Sequence, residues 1–163
     1  MTSPALYSIT PPAEAGVPEG FNLLELHSGF FRQLGAVYLR TREDGSAVIA
    51  LRVAPHHLNI HGVAHGGMLT TLADSALGVN VSMALRRRGG QVTVSLTADF
   101  LSGARLGDWL EAHVVVTRQG RRLVYASCDL KVGERHVLRS SAVFALVERD
   151  FPADAGETPL HDG

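Results

Sequence analysis

Asp74 is the only charged residue in the run from Gly66 to Leu85. Desolvating a carboxylate midway along an apolar helix is costly, so it is either satisfied by neighbours such as Thr70 and Thr71 or opens onto a cleft. In a cleft it can attack a carbonyl or serve as a general base, with no metal or cofactor. His65-Gly66-Gly67 stands just upstream. Two glycines let a ligand approach the backbone, and the free N–H groups of a helix start favour negative charge, so a carbonyl oxygen becoming an oxyanion would be stabilised there. The same glycines also permit a tight turn into the helix. His56, His57, His61 and His65 lie close together, but no HExxH pattern and no cysteine pair accompanies them, and no metal is expected. No phosphate-binding or dinucleotide glycine pattern and no GxSxG elbow occurs. Cys128 alternates with apolar residues and reads as core.

These residues need elements to hold them. Residues 66–85 are apolar on nearly every side, which predicts a buried helix. Arg86-Arg87-Arg88 and Gly89-Gly90 end it, cations standing at the negative end of the dipole. Residues 21–27 are expected as a short helix and 30–42 as a strand; Glu43-Asp44-Gly45-Ser46 turns the chain into a second strand through Ile49, Leu51 and Val53. Residues 55–65 read as a loop. After the helix only strand patterns remain. Val92, Val94, Leu96, Ala98 and Phe100 alternate with polar residues, and strands follow at 109–118, 124–132 and 140–148. The short turns between them imply antiparallel pairing. One antiparallel sheet wrapped around one long central helix is an α+β architecture. A single layer of this size normally associates, so at least a dimer is expected.

The 163 residues fit one domain, and 45% hydrophobic content excludes global disorder. Fifteen basic against sixteen acidic residues leave no excess charge for a phosphate backbone, which argues against nucleic acid. All the basic residues but Lys131 are arginine, scattered rather than striped. A single cysteine allows no intrachain disulfide. Residues 1–20, with four prolines and no signal-peptide pattern, are expected to be a flexible arm, and 150–163 a loose tail. No stretch reads as long and apolar enough to cross a bilayer. A working domain at 21–149, cytoplasmic and free of the membrane, is the expectation.

The run Asn59-Ile60-His61-Gly62-Val63-Ala64-His65-Gly66-Gly67, followed by Leu72-Ala73-Asp74-Ser75, resembles the hotdog-fold acyl-CoA thioesterases. The nearest branch is the PaaI-like group of phenylacetic acid degradation. Asp99-Phe100-Leu101 and Gly107-Asp108 extend the match, which spans about residues 30–147; Gly103-Ala104 replaces the Pro-Ala of the family. The resemblance implies hydrolysis of a small, aryl or medium-chain acyl-CoA to free coenzyme A and a carboxylic acid. It implies that Asp74 attacks the thioester or activates water and that the Gly66 N–H polarises the carbonyl. Asn59 would position the carbonyl or the water, His65 would border the pocket, and Thr93 would assist from beside the carboxylate. Gly67 and Ser75 would line the substrate. Arg118, Arg121 and Arg122, or Arg86 to Arg88, would meet the phosphates of coenzyme A unless they are simply solvated. Similar enzymes build the site across a dimer interface, Asn59 and Gly66 of one subunit facing Asp74 and Thr93 of the other, and commonly pair dimers into tetramers. No cofactor is implied, coenzyme A being part of the substrate.

Two other functions are compatible with a hotdog fold. A hydratase needs a catalytic His working with an acid near a Gly-Asp-x-Asn-Pro stretch, which is absent here. A non-catalytic acyl-CoA-binding module would show tight binding without turnover.

Overall fold

The computed structural model describes residues 7–12, 15–26, 28–85 and 90–147. The alternating segments become β1 (Tyr7–Thr10), β2 (Asn22–Leu26), β3 (Val37–Thr41), β4 (Ala47–Arg52), β5 (Gly90–Phe100), β6 (Trp109–Gln119), β7 (Leu123–Val132) and β8 (Arg135–Val147), with α1 (Gly66–Leu85) between β4 and β5. All pair antiparallel in one eight-stranded sheet of order β1-β2-β3-β4-β6-β7-β8-β5. The crossover through α1 carries the chain from mid-sheet to its far edge, β5. Period-two alternation turns Leu110, Ala112 and Val114 of β6, Val124, Ala126, Cys128 and Leu130 of β7, and Ala142 and Phe144 of β8 inward. There they meet Leu69, Leu72, Ala73, Ala76 and Leu77 of α1.

Two polar side chains clamp this core. Asn80 of α1 accepts from the Ala47 N–H (2.8 Å) and donates to the carbonyls of Ala47 and Ala76 (both 3.0 Å), fastening the helix to the start of β4. His57 is buried; its Nδ1 accepts from the Ala54 N–H and its Nε2 bonds the Leu34 carbonyl, both at 2.9 Å. Burial holds the His57 imidazole below its ordinary pKa, against the opposing pull of the Leu34 carbonyl.

The N-terminal third departs from expectation. Residues 21–27 were expected as a helix, but Asn22–Leu26 is the strand β2, paired with β1 on one side and β3 on the other. Ladder pairing with distant residues overrides the local helical spacing of its leucines. The strand expected over 30–42 breaks into a 3-10 turn, Phe31–Leu34, and β3. Phe31 and Leu34, three apart and both buried, suit that tighter helix, and Gly35 ends it at φ 74°. Nor is the segment 1–20 wholly a free arm. It supplies β1, and residues 15–21 lie over the outer face of the sheet, where Phe21, Tyr38, Val48 and Ala50 form a second small core. Phe21 meets Trp109 edge-on at 5.2 Å, and Arg52 donates to the Gly16 carbonyl at 2.6 Å. β4 is therefore buried on both faces. Arg86, Arg87, Arg88 and Gly89 and the tail 150–163 lie outside the described residues.

By length and composition alone α1 would pass for a membrane span, contrary to the reading of the sequence. In the fold it is the core helix of the sheet.

Candidate active site

The composition of α1 suggests enclosure on all sides; one face is instead open. Gly67, Thr71, Asp74, Ser75, Gly78 and Ser82 recur there at helical spacing, none of them fully buried. The sheet curls toward this stripe from both edges. Tyr7 and Leu26 arrive from the first pair of strands, Gln91 and Thr93 from β5, and the seam between them is a cleft of about 260 Å³ with Asp74 in its lining.

Thr70 and Thr71 do not satisfy Asp74. Their hydroxyls donate back to the carbonyls of Gly66 and Gly67, each at 2.9 Å. The carboxylate takes its hydrogen bond from Thr93 Oγ1, 2.9 Å from Asp74 Oδ1. Among the described residues Oδ2 has no protein donor, so one oxygen is held and the other faces the cleft. A bulge makes this contact possible. The register of β5 against β8 shifts between Thr93 and Ser95, which reverses the parity of the strand. Before the bulge Thr93 meets Asp74 and Gln91 Nε2 donates to the Gly78 carbonyl at 2.8 Å. After it Leu96 and Ala98 pack on the core and Phe100 lies over Gly66. The expected apolar face of β5 is thus split: Val92 and Val94 point outward, 42% and 55% exposed.

The other group of residues gathers at the N-terminus of α1. Asn59 Oδ1 accepts from the N–H groups of His61 (2.9 Å) and Val63 (3.3 Å), so its carbonyl oxygen shapes the loop and only its amide NH2 is available to a ligand. A neighbouring loop braces this one. The Ala64 N–H bonds the Ala104 carbonyl at 2.8 Å. Asp108, beside Gly107 at φ 83°, accepts from the Arg105 N–H and from Arg135. His65 Nδ1 accepts from the Gly67 N–H at 2.9 Å and so caps the helix. The Gly66 N–H has no protein acceptor among the described residues. A Cβ on Gly66 would stand 3.1 Å from the Phe100 ring, and one on Gly67 3.1 Å from His65, so a side chain at either position would press on the facing ring.

The remaining residues do not converge. Gly66 and Asp74 are eight residues apart on one helix, about 12 Å along its axis. Arg118, Arg121 and Arg122 are exposed at the β6–β7 end of the sheet and do not line the cleft. His57 is occupied by the loop, His56 packs against it at 4.1 Å with the rings tilted by 60°, and His61 is exposed. Burial pushes the Cys128 thiol up to about 12, leaving it un-ionised at neutral pH. Reading the sequence missed Gly78, Ser82 and Gln91. Their signal was the four-residue spacing of Asp74, Gly78 and Ser82; nothing marked Tyr7, which sits in a proline-rich stretch.

Residues 61–138 match the family described as the Thioesterase superfamily. A presumed esterase of Pseudomonas aeruginosa is 43% identical over 130 residues, covering 80% of this chain and 97% of that protein. Acyl-coenzyme A thioesterase 13 of Homo sapiens is 30% identical over 101 residues, 62% of this chain and 71% of the relative. Among solved structures, a point mutant of the phenylacetic acid degradation protein PaaI from Thermus thermophilus superposes with a TM-score of 0.62 at 29% identity, covering 72% of this chain and 98% of that one.

Proposed function

The chain belongs to the thioesterase superfamily and has its hotdog fold, and from that premise we propose that it hydrolyses a small, aryl or medium-chain acyl-CoA to coenzyme A and the carboxylic acid. The observation that carries this reading is the Asp74–Thr93 pair, a carboxylate with one oxygen anchored and one free in an apolar-walled seam. Asp74 either attacks the thioester carbon, forming an anhydride that a water molecule then hydrolyses, or takes a proton from a water molecule that attacks the carbon itself. The C–S bond breaks, the thiolate of coenzyme A leaves and is protonated, and the acyl group departs as the acid. The Gly66 N–H, at the positive end of α1, stabilises the carbonyl oxygen as it gains charge. No cofactor takes part, and the compartment is the cytoplasm.

Because about 12 Å of helix separates Gly66 from Asp74, the two cannot touch one carbonyl within one chain. A second copy therefore completes the site, its Asn59 and Gly66 facing Asp74 and Thr93 of the first. β5 supports this: among the described residues it is an edge strand, paired with β8 alone, and it exposes Val92 and Val94. Long apolar edges of this kind invite pairing with another chain.

The test is thiol release from a panel of acyl-CoAs by the wild type, Asp74→Ala and Asp74→Asn, each first shown to fold. A loss of about a hundredfold or more in both variants is expected. Full activity in both would remove Asp74 from the reaction. Binding without turnover, or water addition to an enoyl-CoA, would replace hydrolysis altogether.

A further inference from the structure

The seam has a floor, a side wall and a limited length, and these set what fits in it. Its floor is the open stripe of α1 running from Asp74 through Gly78 to Ser82, about 12 Å along the helix. Gly78 is the notable position. A Cβ built on it meets nothing within 4 Å, so no packing contact demands a glycine there, and helices ordinarily disfavour one. Its absent side chain leaves space within the cleft. The wall comes from the N-terminal strand pair: Tyr7 and Leu26 stand directly opposite each other in the β1–β2 register, pack against the main core and border the cleft, with Phe144 and Val79 also in the lining. The strand pair lies outside the residues matched by the superfamily pattern.

We propose that Gly78 and the Tyr7–Leu26 pair are the determinants of acyl-group size in this protein, Gly78 opening the compartment and the hairpin closing it. This rests on the reading of Asp74 as the reacting carboxylate. A cavity of about 150 Å³ lined by apolar side chains holds a benzene molecule. The seam, at about 260 Å³, therefore takes a phenylacetyl or octanoyl group lying along α1 from Asp74 toward Ser82. A palmitoyl chain is longer than the stripe of α1 that floors it. A segment that composition marks as a loose arm thus becomes part of the specificity machinery.

The experiment compares kcat/KM for propionyl-, octanoyl-, phenylacetyl- and dodecanoyl-CoA in the wild type, Gly78→Ala, Gly78→Leu and Tyr7→Ala, with circular dichroism and melting to establish folding. In Gly78→Leu the octanoyl-to-propionyl ratio is expected to fall by about tenfold or more, with Gly78→Ala between it and the wild type. In Tyr7→Ala, which widens the seam, the phenylacetyl-to-octanoyl ratio is expected to rise by about the same factor. If Gly78→Leu fails to fold, Gly78→Ala decides, since alanine is the better helix former and needs no protein atom to move. Active, folded variants with unchanged ratios overturn this inference and leave hydrolysis standing. A wild type that releases no thiol from any substrate overturns the thioesterase reading itself.

Discussion

Thr93 is one hydroxyl on an exposed stretch of strand, yet its bond to Asp74 Oδ1 at 2.9 Å decides which carboxylate oxygen is free. Hydrogen bonds to charged groups are worth about 1.5–3 kcal/mol. Thr93→Val is therefore expected to lower kcat/KM by about ten- to a hundredfold, while Thr93→Ser, which keeps the hydroxyl, retains most of it. Activity kept in Thr93→Val but lost in Thr93→Ser would show that the methyl group matters and the hydrogen bond does not. Cys128 illustrates the opposite case: a reactive residue type made inert by its place in the core, where burial keeps the thiol protonated.

Elements in this protein are held by polar clamps as well as by packing, and one of them titrates. His57 accepts from Ala54 through Nδ1, so its neutral Nε2–H tautomer is the one that also satisfies the Leu34 carbonyl. Its folded pKa lies below the ordinary value, mainly through burial. The unfolded chain therefore binds a proton first as pH falls, and stability declines from about pH 6.5 downward until the folded pKa is passed. His113 acts in the same direction: burial depresses it, and the Glu111 carboxylate only partly restores it. The melting temperature of the wild type is expected to drop between neutral pH and about pH 5.5, and the drop to shrink in His57→Gln. An identical pH slope in that variant would shift the effect to other groups. The bulge in β5 is the second device at this scale. By reversing strand parity it lets one strand serve the site with Thr93 and the core with Leu96 and Ala98.

At the scale of the whole molecule the sheet is a roll that stops short of closing, and the cleft is the gap between its two edges. Asp74 stands about 12 Å along α1 from Gly66, and on the proposed reading a second copy supplies the missing half of the site. Subunit mixing tests this. Asp74→Ala removes the carboxylate, and Asn59→Asp removes the amide donors while keeping an oxygen for His61 and Val63. Each variant alone is expected to be nearly inactive. Unfolding and refolding them together should restore a fraction of the wild-type rate, through mixed dimers with one intact site, and light scattering should report a mass above that of one chain. No recovery from a mixture that does assemble would put all the groups in a single chain.

The long helix, the strand-only second half and the prominence of Asp74 and Gly66 were legible in the order of residues. These depend on short-range facts: hydrophobic period, the punctuation of glycines at a helix start, and one charge in an apolar run. The strand order, the β5 bulge, the open face of α1 and the conversion of an apparent arm into a wall emerge only when the chain is folded. Thr93 reaches Asp74 across 19 residues, and Tyr7 reaches the same cleft from the opposite edge of the sheet. Contacts between residues so far apart in the chain depend on which strands pair and in what register. That is settled by the burial of the whole sheet against one helix, and no local pattern carries it.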